Sequence, residues 1–175
     1  NKTYNSVLPN IQYQYKFDKT SNMRIMYRKN TSFPTLIQLQ NVIDNSNPLL
    51  ITTGNPELNQ SSTHITSIRF SKVFSKTSQS IYFNISGNYT TDPIVNSTLN
   101  SFSDTIISET VTLPKGSQLT KPVNLDFSKS FRSFITYSIP VKLIKCNVNL
   151  NAGANYSQSP ALVNNIKNVA DNIGY

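Results

Sequence analysis

The chain is organised by a period of two. From Val123 to Ile139, alternate positions read Val123, Leu125, Phe127, Lys129, Phe131, Ser133, Ile135, Tyr137 and Ile139. Between them stand Asn124, Asp126, Ser128, Ser130, Arg132, Phe134, Thr136 and Ser138. After a short break, Cys146, Val148, Leu150, Ala152, Ala154 and Tyr156 alternate with Asn147, Asn149, Asn151, Gly153, Asn155 and Ser157. Successive strand side chains point to opposite faces, so each stretch predicts a strand with one apolar and one polar side. Their length is informative too. A strand of a globular protein usually runs about 5–6 residues, whereas one that crosses a membrane needs about 9–11.

The pattern recurs upstream. Ile11, Tyr13, Tyr15 and Phe17 alternate with Asn10, Gln12, Gln14 and Lys16, and the turn formers of Asp18 to Asn22 lead into Met23, Ile25 and Tyr27. That arrangement predicts a hairpin. A second hairpin is expected from Thr63 to Phe74 and from Ile81 to Tyr89, turning at Ser75 to Ser78. The third is the pair described first, turning around Pro140 to Lys145. Two long polar stretches, near 30–62 and 92–121, separate the hairpins. The first has a helical turn expected at Thr35 to Gln40, and the second a short strand at Ile106 to Leu113. Ser159 onward reads as the opening of another loop.

About six strands thus alternate short and long connections in one domain over 1–175. Transmembrane barrels have short turns at one end, longer loops at the other, and alternating strands of about 10 residues. The expected fold is all-β: an antiparallel long-hairpin meander forming part of a transmembrane β-barrel wall. The rival is a secreted or surface β-sandwich module, an adhesin or carbohydrate binder, whose apolar faces would close on one another.

Composition narrows the field. Hydrophobic residues make up 37% and charged residues 14%, with Asn, Ser and Thr filling the difference. Aromatic and β-branched residues argue against disorder. The formal charge is +8, but the basic residues are dispersed and several flank turns, so no nucleic-acid partner is expected. No apolar run is long enough for a spanning helix. Cys146 is the single cysteine and His64 the single histidine, which leaves no disulfide framework, triad or metal cluster to build. Few glycines and scattered carboxylates give no phosphate loop or paired acid. Neither an enzyme nor a bound cofactor is expected.

The loop residues add a resemblance. Asn47-Pro48-Leu49-Leu50-Ile51-Thr52-Thr53-Gly54-Asn55-Pro56-Glu57-Leu58 resembles a segment of TonB-dependent outer-membrane receptors of the Bacteroidetes type, with an NP and then a GNPxL before a barrel strand. Arg28 to Pro34, Gln38-Leu39 and Tyr137-Ser138-Ile139-Pro140-Val141-Lys142-Leu143 are similar to further parts of that family. The likeness spans Pro9 to Asn165, with Asn47, Pro48, Gly54, Asn55, Pro56 and Leu58 as its loop motif. Asn59-Gln60 stands where the family commonly has a Pro-Glu pair. The resemblance implies nutrient uptake across a Gram-negative outer membrane, with lipid, a plug domain, the TonB system and a surface lipoprotein as partners. No plug or TonB-contacting segment falls within these residues, and the chain opens on neither Met nor a signal pattern. An internal barrel fragment is expected.

In that reading Val123, Leu125, Phe127, Phe131, Ile135, Val148 and Leu150 face lipid, while Asn124, Ser128, Ser130, Asn147, Asn149 and Asn151 face the lumen. Tyr137 and Tyr156 suit an interfacial aromatic girdle or ordinary packing.

Overall fold

The computed structural model describes residues 3–108 and 111–175. The chain runs β1 (Asn10–Lys16), β2 (Ser21–Ser32), α1 (Leu36–Leu39), β3 (Ile43–Asp44), β4 (Leu50–Thr53), β5 (Ser61–Phe74) and β6 (Gln79–Thr91). It continues through β7 (Ile94–Asn100), β8 (Thr105–Ser108), β9 (Val111–Leu113), β10 (Gln118–Asn124), β11 (Phe127–Val141), β12 (Cys146–Val163) and β13 (Ile166–Gly174).

Seven strands make an antiparallel meander in the order β1-β2-β5-β6-β11-β12-β13. The all-β reading and its three hairpins therefore stand. Tight turns at 17–20, 75–78 and 142–145 lie at one end of this sheet. The excursions 33–60 and 92–126 lie at the other, joined there by the two-residue Asn164-Asn165 turn. Asn164 and Asn165 have φ of 50° and 60°, the left-handed conformation that a type I′ hairpin demands and that Asn tolerates. β5 has 14 residues, hence a length of about 46 Å at ~3.3 Å per residue. Tilted at ~45°, such a strand covers about 33 Å of height, enough to cross a hydrocarbon layer of ~30 Å.

Unbroken register fixes the two sides. One row runs Tyr15–Met23–Phe70–Phe83–Ile135–Ala152 across six strands, and the adjacent row Gln14–Arg24–Arg69–Asn84–Phe134–Gly153 lies on the opposite side. Polarity is inverted relative to a water-soluble sheet. On the apolar side Tyr13 is 53% exposed and Leu150 57%, whereas Ser67 and Asn84 on the polar side are only 6% and 7% exposed. Among the described residues no second layer covers the apolar side, so the packing of the rival sandwich reading is not formed. The buried aliphatic side chains, Ile51, Leu58 and Leu113, all belong to the excursions.

Four expectations change. The strand expected from Val123 to Ile139 is two strands, with Leu125 and Asp126 between β10 and β11. Asp92, at φ 51°, and Pro93 turn the outgoing chain at the same level; Asp92 N donates to Asp126 O and Leu125 N to Pro93 O. The β6/β11 hairpin thereby rolls over: below this point β11 pairs with β12, and above it β7 does. The second long stretch is not an open loop, for β7 pairs with β10 and β8 with β9. The short strand expected at Ile106 to Leu113 becomes β8 and β9, with 109–110 outside the described residues. Finally, Ser159 does not open a loop: β12 continues to Val163 and β13 follows. Pro160 falls after the last β11 partner of β12, Gln158, and before its first β7 partner, Leu162. Along that free side a missing N–H breaks no ladder.

The first excursion carries the expected helical turn. Thr35 caps it, its hydroxyl accepting from Gln38 N while the Gln38 side chain accepts from Thr35 N, a reciprocal capping box.

Candidate functional site

The loop motif is built from one device used twice. In Asn47-Pro48-Leu49-Leu50, Asn47 Oδ1 accepts from Leu49 N at 3.0 Å and the Asn47 carbonyl from Leu50 N at 3.0 Å. In Asn55-Pro56-Glu57-Leu58, Asn55 Oδ1 accepts from Glu57 N at 3.1 Å and its carbonyl from Leu58 N at 3.3 Å. Asn mimics a backbone acceptor while Pro pre-sets φ at the next position, so each Asn-Pro pair closes a tight turn. β4 is held between the two turns, with Ile51 and Leu58 buried.

The second turn ties the excursions together. Asn55 N donates to Gln38 O at 2.6 Å and Asn55 Nδ2 to Pro122 O at 2.9 Å. Gly54 sits under the end of α1. A Cβ placed there would lie 2.1 Å from Gln40 O and 2.8 Å from the carbonyls of Gln38 and Ile37; only glycine fits. β4 adds in parallel to β10, which pairs with β7, and β7 joins β12. The motif therefore anchors a short-stranded extension of the same sheet, in the order β7-β10-β4-β3, beyond the excursion end of β12. Beneath it a cavity of about 330 Å³ is bordered by Gln38, Gln40, Asp44, Thr52, Asn96 and Thr120. The Asp44 carboxyl is held below its usual range by hydrogen bonds from the Ser46 side chain and backbone N–H.

The other expected residues divide at the roll-over. Phe127, Phe131, Ile135, Val148 and Leu150 lie on the apolar side of the main sheet, and Ser128, Ser130, Asn147, Asn149 and Asn151 on the polar side. Val123 does not join the first group, because it sits in β10 opposite Val95. Leu125 lies between strands. Asn124 does not stand free on the polar side: its amide donates to the carbonyls of Asp92 at 2.8 Å and Asn59 at 3.1 Å, and accepts from Asn59 N at 2.7 Å.

The polar side is lined by hydroxyls and amides. Two shallow depressions of about 250 Å³ each share Asn88, Ser130 and Ser157, and one of them includes Arg132. Thr136 Oγ1 donates to Asn151 Oδ1 at 2.8 Å and Ser138 Oγ to Asn149 Oδ1 at 2.6 Å. On the apolar side, Lys72 lies 5.5 Å from the Phe74 ring, and Lys129 lies 6.0 and 5.7 Å from the rings of Phe127 and Tyr156. These lysines lay their stems along apolar surface and keep their charge over aromatic faces. Sequence reading missed the polar-side grouping of Arg24, Arg28, Arg69 and Arg132, because it emerges only when strands distant in sequence are brought into register.

A model of the outer membrane protein beta-barrel family matches residues 1–174. No curated protein matches the chain. A long-stranded meander with one exposed apolar side, short turns at one end and folded excursions at the other has the architecture that name describes. The chain belongs to the outer membrane protein beta-barrel family, and its place is the cell outer membrane.

Proposed function

We propose that this chain is a stretch of barrel wall from an outer-membrane receptor of the TonB-dependent type, through which the parent protein takes up a nutrient. The observation that carries the reading is the doubled Asn-Pro segment. It resembles a loop of that receptor family, and here it folds into an anchored rim over one end of the sheet. In this reading Phe127, Phe131, Ile135, Val148 and Leu150 contact lipid, and Ser128, Ser130, Asn147, Asn149 and Asn151 line the lumen. Tyr137 stands near the short-turn end and Tyr156 towards the loop end, where interfacial rings would sit. A plug domain fills the parent's lumen, the TonB system supplies energy and a surface lipoprotein delivers substrate.

The test is substrate uptake by cells carrying the parent protein, with and without TonB. Binding that survives and uptake that ceases on TonB removal is the expected result. Uptake indifferent to TonB would leave a passive or structural barrel and overturn the receptor reading.

A further inference from the structure

All four arginines of the chain, Arg24, Arg28, Arg69 and Arg132, lie on the polar side of the main sheet. The lysines of these strands largely do the reverse. Lys29, Lys72, Lys129 and Lys167 take the apolar side, and Lys16 alone joins the arginines. The seven strands of the meander carry a single carboxylate, Asp171, and it lies on the apolar side, where it accepts from the Tyr156 hydroxyl at 2.8 Å. The polar side therefore presents cations with no carboxylate to answer them.

Its layout opposes sheet stability. Arg24 and Arg69 stand directly opposite one another, and like charges so placed repel. Arg132 lies two strands along from Arg69 and two rows nearer the excursions, about 10 Å away laterally at ~4.8 Å per strand. The Arg24 guanidinium reaches Gln14 Oε1 at 3.4 Å, a weak neutral contact. A lysine would serve if charge alone were needed. Arginine adds a planar fork of donors that grips carboxylate, sulfate or phosphate oxygens in pairs. The amides and hydroxyls of Asn88, Ser130, Asn155 and Ser157 border the Arg132 depression and can hold the uncharged parts of a polar molecule.

We infer that the polar side of this sheet receives an anionic solute, bearing carboxylate, sulfate or phosphate groups, through Arg24, Arg69 and Arg132. The inference deepens the proposed uptake function and rests on its assignment of this side to the lumen.

The experiment uses the parent protein in detergent, with Cys146 and any other free cysteine replaced by serine. Titration calorimetry compares dextran sulfate with uncharged dextran of equal length. Binding of the sulfated polymer alone is expected, weakening with salt. The triple variant Arg24→Gln/Arg69→Gln/Arg132→Gln should lower its affinity by about tenfold or more, and the turn variant Lys76→Gln/Lys142→Gln/Lys145→Gln by less than about twofold. Equal losses would mean that only net charge matters and would overturn the inference, as would equal binding of the two polymers. Single cysteines at Arg69→Cys and Phe70→Cys, challenged with a charged thiol reagent, test the face separately. Labelling confined to position 70 would sink the lumen assignment itself. Labelling at position 69 without preference for the sulfated polymer would sink the anion inference alone.

Discussion

Asn59 and Asn124, 65 positions apart, bind each other as two paired strands would. Asn59 N donates to Asn124 Oδ1 at 2.7 Å, and Asn124 Nδ2 donates back to the Asn59 carbonyl at 3.1 Å. A side-chain amide thereby stands in for a peptide group and fastens the end of the first excursion to the roll-over in the second. Asn124→Ala removes these bonds and the one to Asp92. At about 1 kcal/mol for a net hydrogen bond, partly offset by water at this exposed site, a loss of about 1–2 kcal/mol is expected. Limited proteolysis should show faster cleavage in 33–60 while the meander stays resistant.

Gly54→Ala should disturb the same region more deeply. The added methyl meets backbone carbonyls rather than flexible side chains, so either α1 or the Asn55 turn must move. Overpacking of this kind costs about 1–3 kcal/mol. Hydrogen exchange is expected to rise at Asn55 N and Gln40 N and to stay unchanged in β6 and β11. Unaltered protection at Asn55 would mean that the contact with Gln38 is dispensable.

Ile135 and Thr136 are neighbours on opposite sides of β11. Arginine at a lipid-facing midplane position destabilises a barrel by ~2–4 kcal/mol, so Ile135→Arg should cost that much in folding into lipid vesicles. Thr136→Arg should cost less than about 1 kcal/mol, because the lumen side tolerates charge. Equal tolerance at the two positions would sink the assignment of sides.

The β1/β2 turn should respond to acid. The Asp18 carboxyl is held well below its ordinary value, first by the Ser21 side chain and then by the Thr20 hydroxyl and backbone N–H. A carboxylate favoured in the folded state stabilises it above the unfolded value of about 4, and the contribution is lost as pH falls from there through the folded value. Amide exchange at Thr20 should therefore differ between the native chain and Asp18→Ala by a constant factor near neutrality. The difference should shrink below about pH 4. Indifference to acid would mean that the turn is held by its backbone alone.

Much of the meander was legible because period-two alternation survives wherever one side of a strand is apolar. Ile11 to Phe17 and Val148 to Tyr156 declared their sides, although β12 runs on past Tyr156 to Val163. Strands outside that rule were not legible. Pro122 in β10 reads as a breaker, and Asn96 to Asn100 in β7 have little alternation to show, because these short strands pair with each other beyond the roll-over and outside the two-sided meander. β13 hid behind Ser159-Pro160, whose proline is harmless only because of where the pairing of β11 stops. The grouping of the arginines was beyond any local pattern: Arg24 faces Arg69 only once β2 and β5 are aligned across the first excursion.

The alternation of tight turns with long excursions also sets an order of assembly. β1/β2, β5/β6, β11/β12 and β12/β13 can each close around a few residues, and such hairpins form on the microsecond scale in isolation. The seams between β2 and β5 and between β6 and β11 must close the much longer segments 33–60 and 92–126 first, which taxes chain entropy before any ladder rewards it. Prefolded rims shorten that search: once Asn55 grips Pro122 and β4 lies on β10, the two excursions are tied to each other and the loops to be closed are effectively shorter. The sheet is therefore expected to zip together from the rim towards the tight turns, with the loop motif acting as its first fastener.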